Sequence, residues 1–336
     1  MKPTRRTFLT GASALSAATL AGLGSSLSAF QASAAETSGY KAIVCLFLLG
    51  GLDGHDTVLP YDQASYDRYA EIRAPLLGLY DNMQGGSTRA RNRLLPLNPS
   101  NAASFGGRQF ALPEELRGIK GLIANGNAAI GNVGPLIQPI TKTEFENDSA
   151  PQPKRLFSHN DQQSTWMSSQ PEGAQFGWGG RFADAVLAAG ANPGAQDFST
   201  ITSLGNELFL TGSEASPYQI GLNGAPEIDA LNFFAGDDNI SDPNSIYQKL
   251  RDHFEAMDFN SSNLIDRDIA NAMRTALTTN ETFNEAFASI QPFATAIPGN
   301  FLGQQLQAVA NTLAIRAALL VNRQVFFVAI GGFDTH

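Results

Sequence analysis

The sequence has only one cysteine, Cys45, in 336 residues, so no internal disulfide can form. Basic residues are also scarce: 22 lysines and arginines against 31 acidic residues give a formal charge of −9. This balance disfavours binding to nucleic acid or to an anionic membrane surface. With 43% hydrophobic and 16% charged residues and no long apolar run, the composition is that of a globular protein stabilised by its core.

Several catalytic motifs are missing as well. The chain has no Gly-x-Ser-x-Gly elbow, no Gly-Lys-Ser phosphate loop, no dinucleotide fingerprint after a strand and no His-Glu-x-x-His motif. Ser158 is followed directly by His159, but sequence neighbours rarely act as a nucleophile and its base. The sequence therefore disfavours both a standard serine hydrolase and a nucleotide-binding protein.

Residues 1–34 have the features of an export signal. Arg5 and Arg6 precede an uncharged stretch, residues 12–29, and Ala32-Ser33-Ala34 supplies the small residues of a cleavage site. The alternative, a membrane anchor, is disfavoured because the segment is short and only weakly apolar. We predict export by the twin-arginine translocase to the periplasm, the medium or the cell surface, with no stable membrane span after cleavage.

Two apolar segments near the ends of the remaining chain predict buried strands. Lys41–Leu49 and Gln324–Ile330 are almost continuously hydrophobic, as expected of parallel strands covered on both faces, and each is followed by Gly-Gly. Further strands are predicted over three segments: 128–133, 208–211 and 218–222.

Helical patterns separate these strands. Residues 81–107 lack periodicity and predict an irregular insertion. Helices are predicted over five segments: 61–73, a second beginning at Pro113, 182–189, most of 244–290, and 301–321. This order predicts an α/β fold in which a mostly parallel sheet carries helices on both faces. Because no linker or repeat is visible, we expect one domain over residues 35–336.

Polar clusters follow both terminal strands, where ligands bind in open α/β sheets. Asp53 lies in Gly50-Gly51-Leu52-Asp53-Gly54-His55-Asp56, and Asp334 and His336 lie in Gly331-Gly332-Phe333-Asp334-Thr335-His336. Glycines allow a sharp turn that brings a carboxylate to a metal ion, and Asp with His suits zinc or manganese. A Gly-Gly-x-Asp sequence also forms ordinary turns, so both interpretations stay open.

Two other segments are candidates for a site, and the first has the composition of a pocket rim. Phe157–Trp166 places polar residues around the hydroxyl of Ser158, and Gly177-Trp178-Gly179-Gly180-Arg181 presents an arginine after a glycine-rich turn. Arg181 could bind an anionic substrate, although a surface arginine before a helix is the simpler interpretation.

These four motifs, in this order and behind a twin-arginine signal, resemble the exported family catalogued as domain of unknown function 1501. The resemblance covers essentially all of the chain after the signal. It implies an alkaline phosphatase-like or sulfatase-like fold that binds one or two divalent metals at the ends of a central parallel sheet. Members continue beyond Phe-Asp-Thr-His into further strands and an Asp-His pair, which implies a sheet that is incomplete at the C-terminus of this chain.

The resemblance also implies roles for individual residues. Asp53 matches the first-strand metal ligand, and Asp334 and His336 match ligands after a later strand, with a spacing tighter than Asp-x-x-x-His. Ser158 lies where the superfamily places its hydroxyl nucleophile. The metal would be zinc, manganese, magnesium or calcium.

Two functions follow as expectations. The first is a metal-dependent hydrolase of small anionic phosphate or sulfate esters, with Ser158 as the attacking group and Arg181 as an oxyanion contact. The alternative is an exported binding or assembly protein that keeps the fold without the chemistry.

Overall fold

The structure is a computed structural model that describes residues 39–83, 86–131, 139–152, 154–205, 207–226, 231, 233–234, 241–256 and 260–334. The predicted signal peptide, residues 1–34, lies outside these ranges. Residue contacts divide the chain into two compact units. The first contains the chain up to Leu49 and Phe145–Gly331, and the second contains Gly50–Glu144 and Gly332–His336. The expectation of one domain stays a prediction.

Strands and helices alternate along the described residues. The strands, in chain order, are β1 (Lys41–Leu48), β2 (Leu59–Pro60), β3 (Leu95–Pro96), β4 (Phe110–Leu112), β5 (Thr200–Thr202), β6 (Tyr218–Gln219) and β7 (Arg323–Ile330). The helices are α1 (Gly54–Thr57), α2 (Gln63–Ile72), α3 (Ala74–Asp81), α4 (Arg117–Ala124), α5 (Lys142–Glu146), α6 (His159–Ser168), α7 (Trp178–Ala188), α8 (Ile246–Glu255), α9 (Leu264–Phe287) and α10 (Phe301–Ala314). No helix in the described ranges is long and apolar enough to cross a membrane.

The first unit is built on a parallel sheet with the strand order β1-β7-β5-β6. Strand β7 is buried along almost its whole length, because both of its faces are covered. On one face Phe326 and Val328 pack with residues of α9 and α10. On the other face Val325 and Phe327 pack with Met167 of α6. Burial of a large apolar side chain contributes about 1.5–3 kcal/mol. The predicted α/β fold with a mostly parallel sheet is confirmed.

Strand β1 lies at the edge of this sheet, and the expectation that both of its faces are buried is wrong. Ile43 and Cys45 pack against the core, whereas Val44 and Leu46 on the opposite face are 42% and 44% exposed. Burial raises the pKa of the Cys45 thiol to about 11. Cys45 is therefore protonated at neutral pH and acts as a half-buried apolar residue of the core.

The second unit contains a small antiparallel sheet with the strand order β2-β4-β3. Its core includes Leu59, Leu94 and Ala111. The segment predicted as irregular supplies β3 and two 3₁₀ turns, Arg91–Arg93 and Ala102–Phe105.

Other element predictions differ in detail. Pro75 ends the predicted helix but also starts α3, because proline is tolerated in a helix's first turn. Residues 208–210 form a 3₁₀ turn instead of a strand, and residues 128–131 have no regular structure, while 132 and 133 lie outside the described residues. The last predicted helix ends at Ala314 and continues as turns.

Candidate functional site

The two polar clusters follow neighbouring strands. Strands β1 and β7 are parallel and aligned so that Leu48 pairs with Ile330. Beyond them, within the second unit, Gly50 has a φ of +105° and lies against Asp334. A Cβ atom on Gly50 would come 2.7 Å from the backbone nitrogen of Asp334. Only glycine fits this approach, so Gly50 is needed to bring the two strand-end segments together.

Asp53 has a structural role at the start of α1. It is the N-cap of this helix, and its Oδ1 accepts a hydrogen bond of 2.9 Å from the backbone N–H of His55. The guanidinium of Arg73 also binds both carboxylate oxygens, at 2.6 Å to Oδ2 and 3.1 Å to Oδ1. Partial burial alone would raise the pKa of Asp53, but the hydrogen bonds and charge of Arg73 and the His55 N–H outweigh it. The pKa is therefore lowered.

These contacts bear directly on the predicted metal ligands. Carboxylates such as Asp53 and Asp334 are suitable ligands for a hard divalent cation, but Arg73 takes both oxygens of Asp53. Within the described part of the chain, no three His, Cys, Asp or Glu side chains form a group that could hold a metal ion. The third predicted ligand, His336, lies outside the described residues. The described residues by themselves therefore do not complete a metal site.

A second ion pair in the same unit was not predicted from the sequence. Asp56 accepts hydrogen bonds from Arg89 through Nε at 3.0 Å and NH2 at 3.1 Å. It also accepts from the hydroxyls of Tyr80 at 2.6 Å and Tyr69 at 3.3 Å. Arg89 reaches Glu115 as well, at 3.3 Å. Asp56 lies close to Asp53 in the sequence, but its hydrogen bonds connect it to Tyr80 of α3 and to Arg89 of the loop that follows.

Ser158, in the first unit, is the N-cap of α6. Its hydroxyl oxygen accepts from the backbone N–H of Asp161 at 3.4 Å. Asp161 is buried and also bonds Arg155 and the backbone N–H of Glu172. Hydrogen bonding with Ser158 is the largest of several contacts that lower the pKa of Asp161. The polar cluster around Ser158 thus includes a complete helix cap, and its serine already has a structural role.

Arg181 lies in the first turns of α7, in the same unit, with its side chain exposed. The glycines before it have a packing role. A Cβ on Gly177 would lie 2.1 Å from the carbonyl oxygen of Leu208, and a Cβ on Gly180 would lie 2.2 Å from the carbonyl carbon of Thr211. The glycine-rich motif therefore lets α7 pack directly on the backbone of residues 208–212.

Trp166 and Trp178 connect the Phe157–Trp166 segment with the glycine-rich segment Gly177–Arg181. The indole Nε1 of Trp178 donates a hydrogen bond of 3.1 Å to the carbonyl oxygen of Trp166, and its ring meets Phe209 edge to face at 4.3 Å. These contacts join α6, α7 and the 208–210 turn. The two segments are thus in contact, and the contacts between them are packing contacts.

Comparison of the chain with protein-family models, with curated proteins and with solved structures finds no match.

Proposed function

We propose that the protein is exported through the twin-arginine pathway and is a metal-dependent phosphate- or sulfate-ester hydrolase with an alkaline phosphatase-like fold. The observation that carries this proposal is the meeting of the Gly50 and Asp334 segments after two aligned parallel strands. Strand-end loops that meet in this way form the binding crevice of open α/β sheets. They bring together the segments that contain Asp53 and Asp334, two of the three proposed ligands.

Each site residue has a role in this proposal. Asp53, Asp334 and His336 would hold the divalent cation, which supplies positive charge to polarise an ester oxygen. Ser158 would provide the attacking hydroxyl, and Arg181 would bind an ester oxygen. The exposed guanidinium of Arg181 can accept such an anion without breaking an existing ion pair within the described residues.

A second function, an exported binding protein without catalysis, is favoured by two specific observations. Arg73 already neutralises Asp53, and the Ser158 oxygen already caps α6. Both contacts stabilise the fold in the absence of substrate or metal. A protein that keeps this fold for binding alone would retain them, since neither requires a reacting group to be free.

The test combines metal analysis with an ester panel on the purified, exported protein. The hydrolase proposal expects stoichiometric divalent metal and turnover of aryl phosphate or sulfate esters, with both lost in Asp53→Asn. The matched control is Asp81→Asn, because Asp81 is exposed at the end of α3 in the same unit. Stoichiometric metal without turnover would support the binding protein instead. Absence of metal from the wild type would overturn the hydrolase proposal.

A further inference from the structure

Two aspartate–arginine pairs in the second unit differ in how firmly they are held. The guanidinium of Arg89 bonds both Asp56 and Glu115, and its side chain is only 11% exposed. The guanidinium of Arg73 makes hydrogen bonds only to Asp53 within the described residues, and its side chain is 30% exposed. The Arg73 pair can therefore open at little cost, because water replaces its hydrogen bonds, whereas the Arg89 pair cannot.

The two oxygens of the Asp53 carboxylate have different partners. Oδ1 accepts from the backbone N–H of His55 at 2.9 Å as well as from Arg73. Oδ2 accepts only from Arg73, at 2.6 Å, within the part of the chain that the structure describes. If the guanidinium moved away, the bond from His55 would still hold the carboxylate in its orientation. Oδ2 would then be an oriented carboxylate oxygen without a partner, which is what a divalent cation requires of a ligand.

This ion pair belongs to the segment in which two proposed ligands come together. The Asp53 segment begins at Gly50, and a Cβ atom on Gly50 would come 2.7 Å from the backbone nitrogen of Asp334. A guanidinium and a divalent cation are both positively charged partners of a carboxylate, and both need the space in front of Oδ2. Arg73 therefore takes the oxygen that a cation would need at Asp53.

We propose that Arg73 and a divalent cation compete for Asp53, so that the ion pair keeps this carboxylate closed until the guanidinium is displaced. This inference rests on the proposed function, because it takes Asp53 as a metal ligand. It adds that one named side chain opposes metal loading. Asp53 exchanges one positive partner for another, and the Arg73 side chain, which is already partly exposed, moves into solvent.

Mn²⁺ is the probe, and its binding to the purified, exported protein is measured by calorimetry after treatment with EDTA. Arg73→Gln removes the competing charge and is expected to bind Mn²⁺ about tenfold more tightly than the wild type. Arg73→Lys keeps the charge but cannot bind both carboxylate oxygens at once, so its affinity should lie between the two. Equal affinity in Arg73→Gln and the wild type, or no binding by either, would overturn the proposal.

Two further variants show whether the gain comes from this ion pair. Arg68→Gln makes the same change of charge in an exposed pair with Glu71 of the same unit, and it should bind Mn²⁺ as the wild type does. The double variant Arg73→Gln/Asp53→Asn should lose the gain, because the freed carboxylate is gone. An equal gain in Arg68→Gln, or a gain that persists in the double variant, would contradict competition at Asp53.

A second measurement follows the guanidinium itself. Phenylglyoxal modifies accessible arginines, and peptide mass spectrometry gives the rate of modification at each position. Mn²⁺ is expected to speed the modification of Arg73 about threefold, since the guanidinium loses its carboxylate partner, and to leave Arg68 unchanged. An unchanged rate at Arg73 in protein that has bound Mn²⁺ would overturn the proposal.

These results distinguish the competition from the proposed hydrolysis. Metal binding with ester turnover in the wild type, but with the same affinity in Arg73→Gln, would overturn the competition and leave the hydrolase proposal intact. Tighter Mn²⁺ binding by Arg73→Gln without turnover of any ester would support the competition and contradict the catalytic function.

Discussion

The side chain of Gln305 takes the place of a strand beside Ala329. Its Nε2 donates to the carbonyl oxygen of Ala329 at 2.8 Å, and its Oε1 accepts from the Ala329 N–H at 3.0 Å. Strand β5 pairs with β7 only from Val325 to Phe327. Ala329 lies two residues after Phe327, so its backbone N–H and C=O point toward the same edge of β7 as those of Phe327. These buried groups would have no partners if Gln305 did not bond them.

Gln305→Leu is therefore expected to destabilise the protein by about 2 kcal/mol. Leucine fills a similar volume, but it leaves the buried N–H and C=O of Ala329 without hydrogen-bond partners. Urea unfolding followed by circular dichroism measures the change in the free energy of unfolding. Gln304→Leu, the exposed neighbour on α10, is the control and should change stability by less than about 0.5 kcal/mol. Equal effects of the two variants would contradict the strand-like role of Gln305.

The two long strands could be predicted because their apolar runs are local. The predicted strand Lys41–Leu49 agrees with β1 to within one residue, and Gln324–Ile330 agrees with β7 equally well. The exposure of Val44 could not be predicted, because it depends on which strand lies at the sheet edge. The order of the strands in the sheet decides this, and the residues of one segment do not indicate that order.

The ion pairs of the candidate site show the same limit. Arg73 and Arg89 reach their aspartates across 20 and 33 residues of chain, and a sequence gives no periodic signal over such distances. Ser158, however, carried a local signal that was missed. Serine followed three residues later by Asp161 is close to the pattern of a helix N-terminus, and the structure shows this cap.

Gly180→Ala tests whether the glycine-rich motif is needed for packing. The added methyl would lie 2.2 Å from the backbone of Thr211, so α7 must shift, and we expect a loss of about 3 kcal/mol. Gly121→Ala is the matched control, a helical glycine in α4 with no atom within 4 Å of the added methyl. It should stabilise by about 0.4–1 kcal/mol, because alanine favours the helix. Thermal and urea unfolding of both variants measure these opposite shifts. Gly180→Ala with wild-type stability would mean that the close approach is not required.

The ion pair between Asp53 and Arg73 predicts how stability depends on pH. The pKa of Asp53 is lowered in the folded protein. The ionised carboxylate therefore contributes fully to the free energy of unfolding above the ordinary aspartate pKa of about 3.9. This contribution is lost as the pH falls through the lower pKa of the folded state. Arg73→Gln removes the charge that lowers this pKa. The variant should therefore lose about 1 kcal/mol at pH 7 and show a smaller further loss between about pH 5 and pH 2.

Arg68→Gln is the control for this prediction, because Arg68 and Glu71 form a pair whose side chains are 67% and 70% exposed in the same unit. Such exposed pairs contribute about 0–1 kcal/mol, and salt screens them. Urea unfolding midpoints measured across this pH range should therefore change with pH in Arg68→Gln as they do in the wild type. In Arg73→Gln the midpoint should fall less steeply at acid pH. If the midpoint fell equally at acid pH in all three proteins, Arg73 would not set the ionisation of Asp53. The carboxylate would then be free to bind a cation, which is the condition that the hydrolase proposal requires.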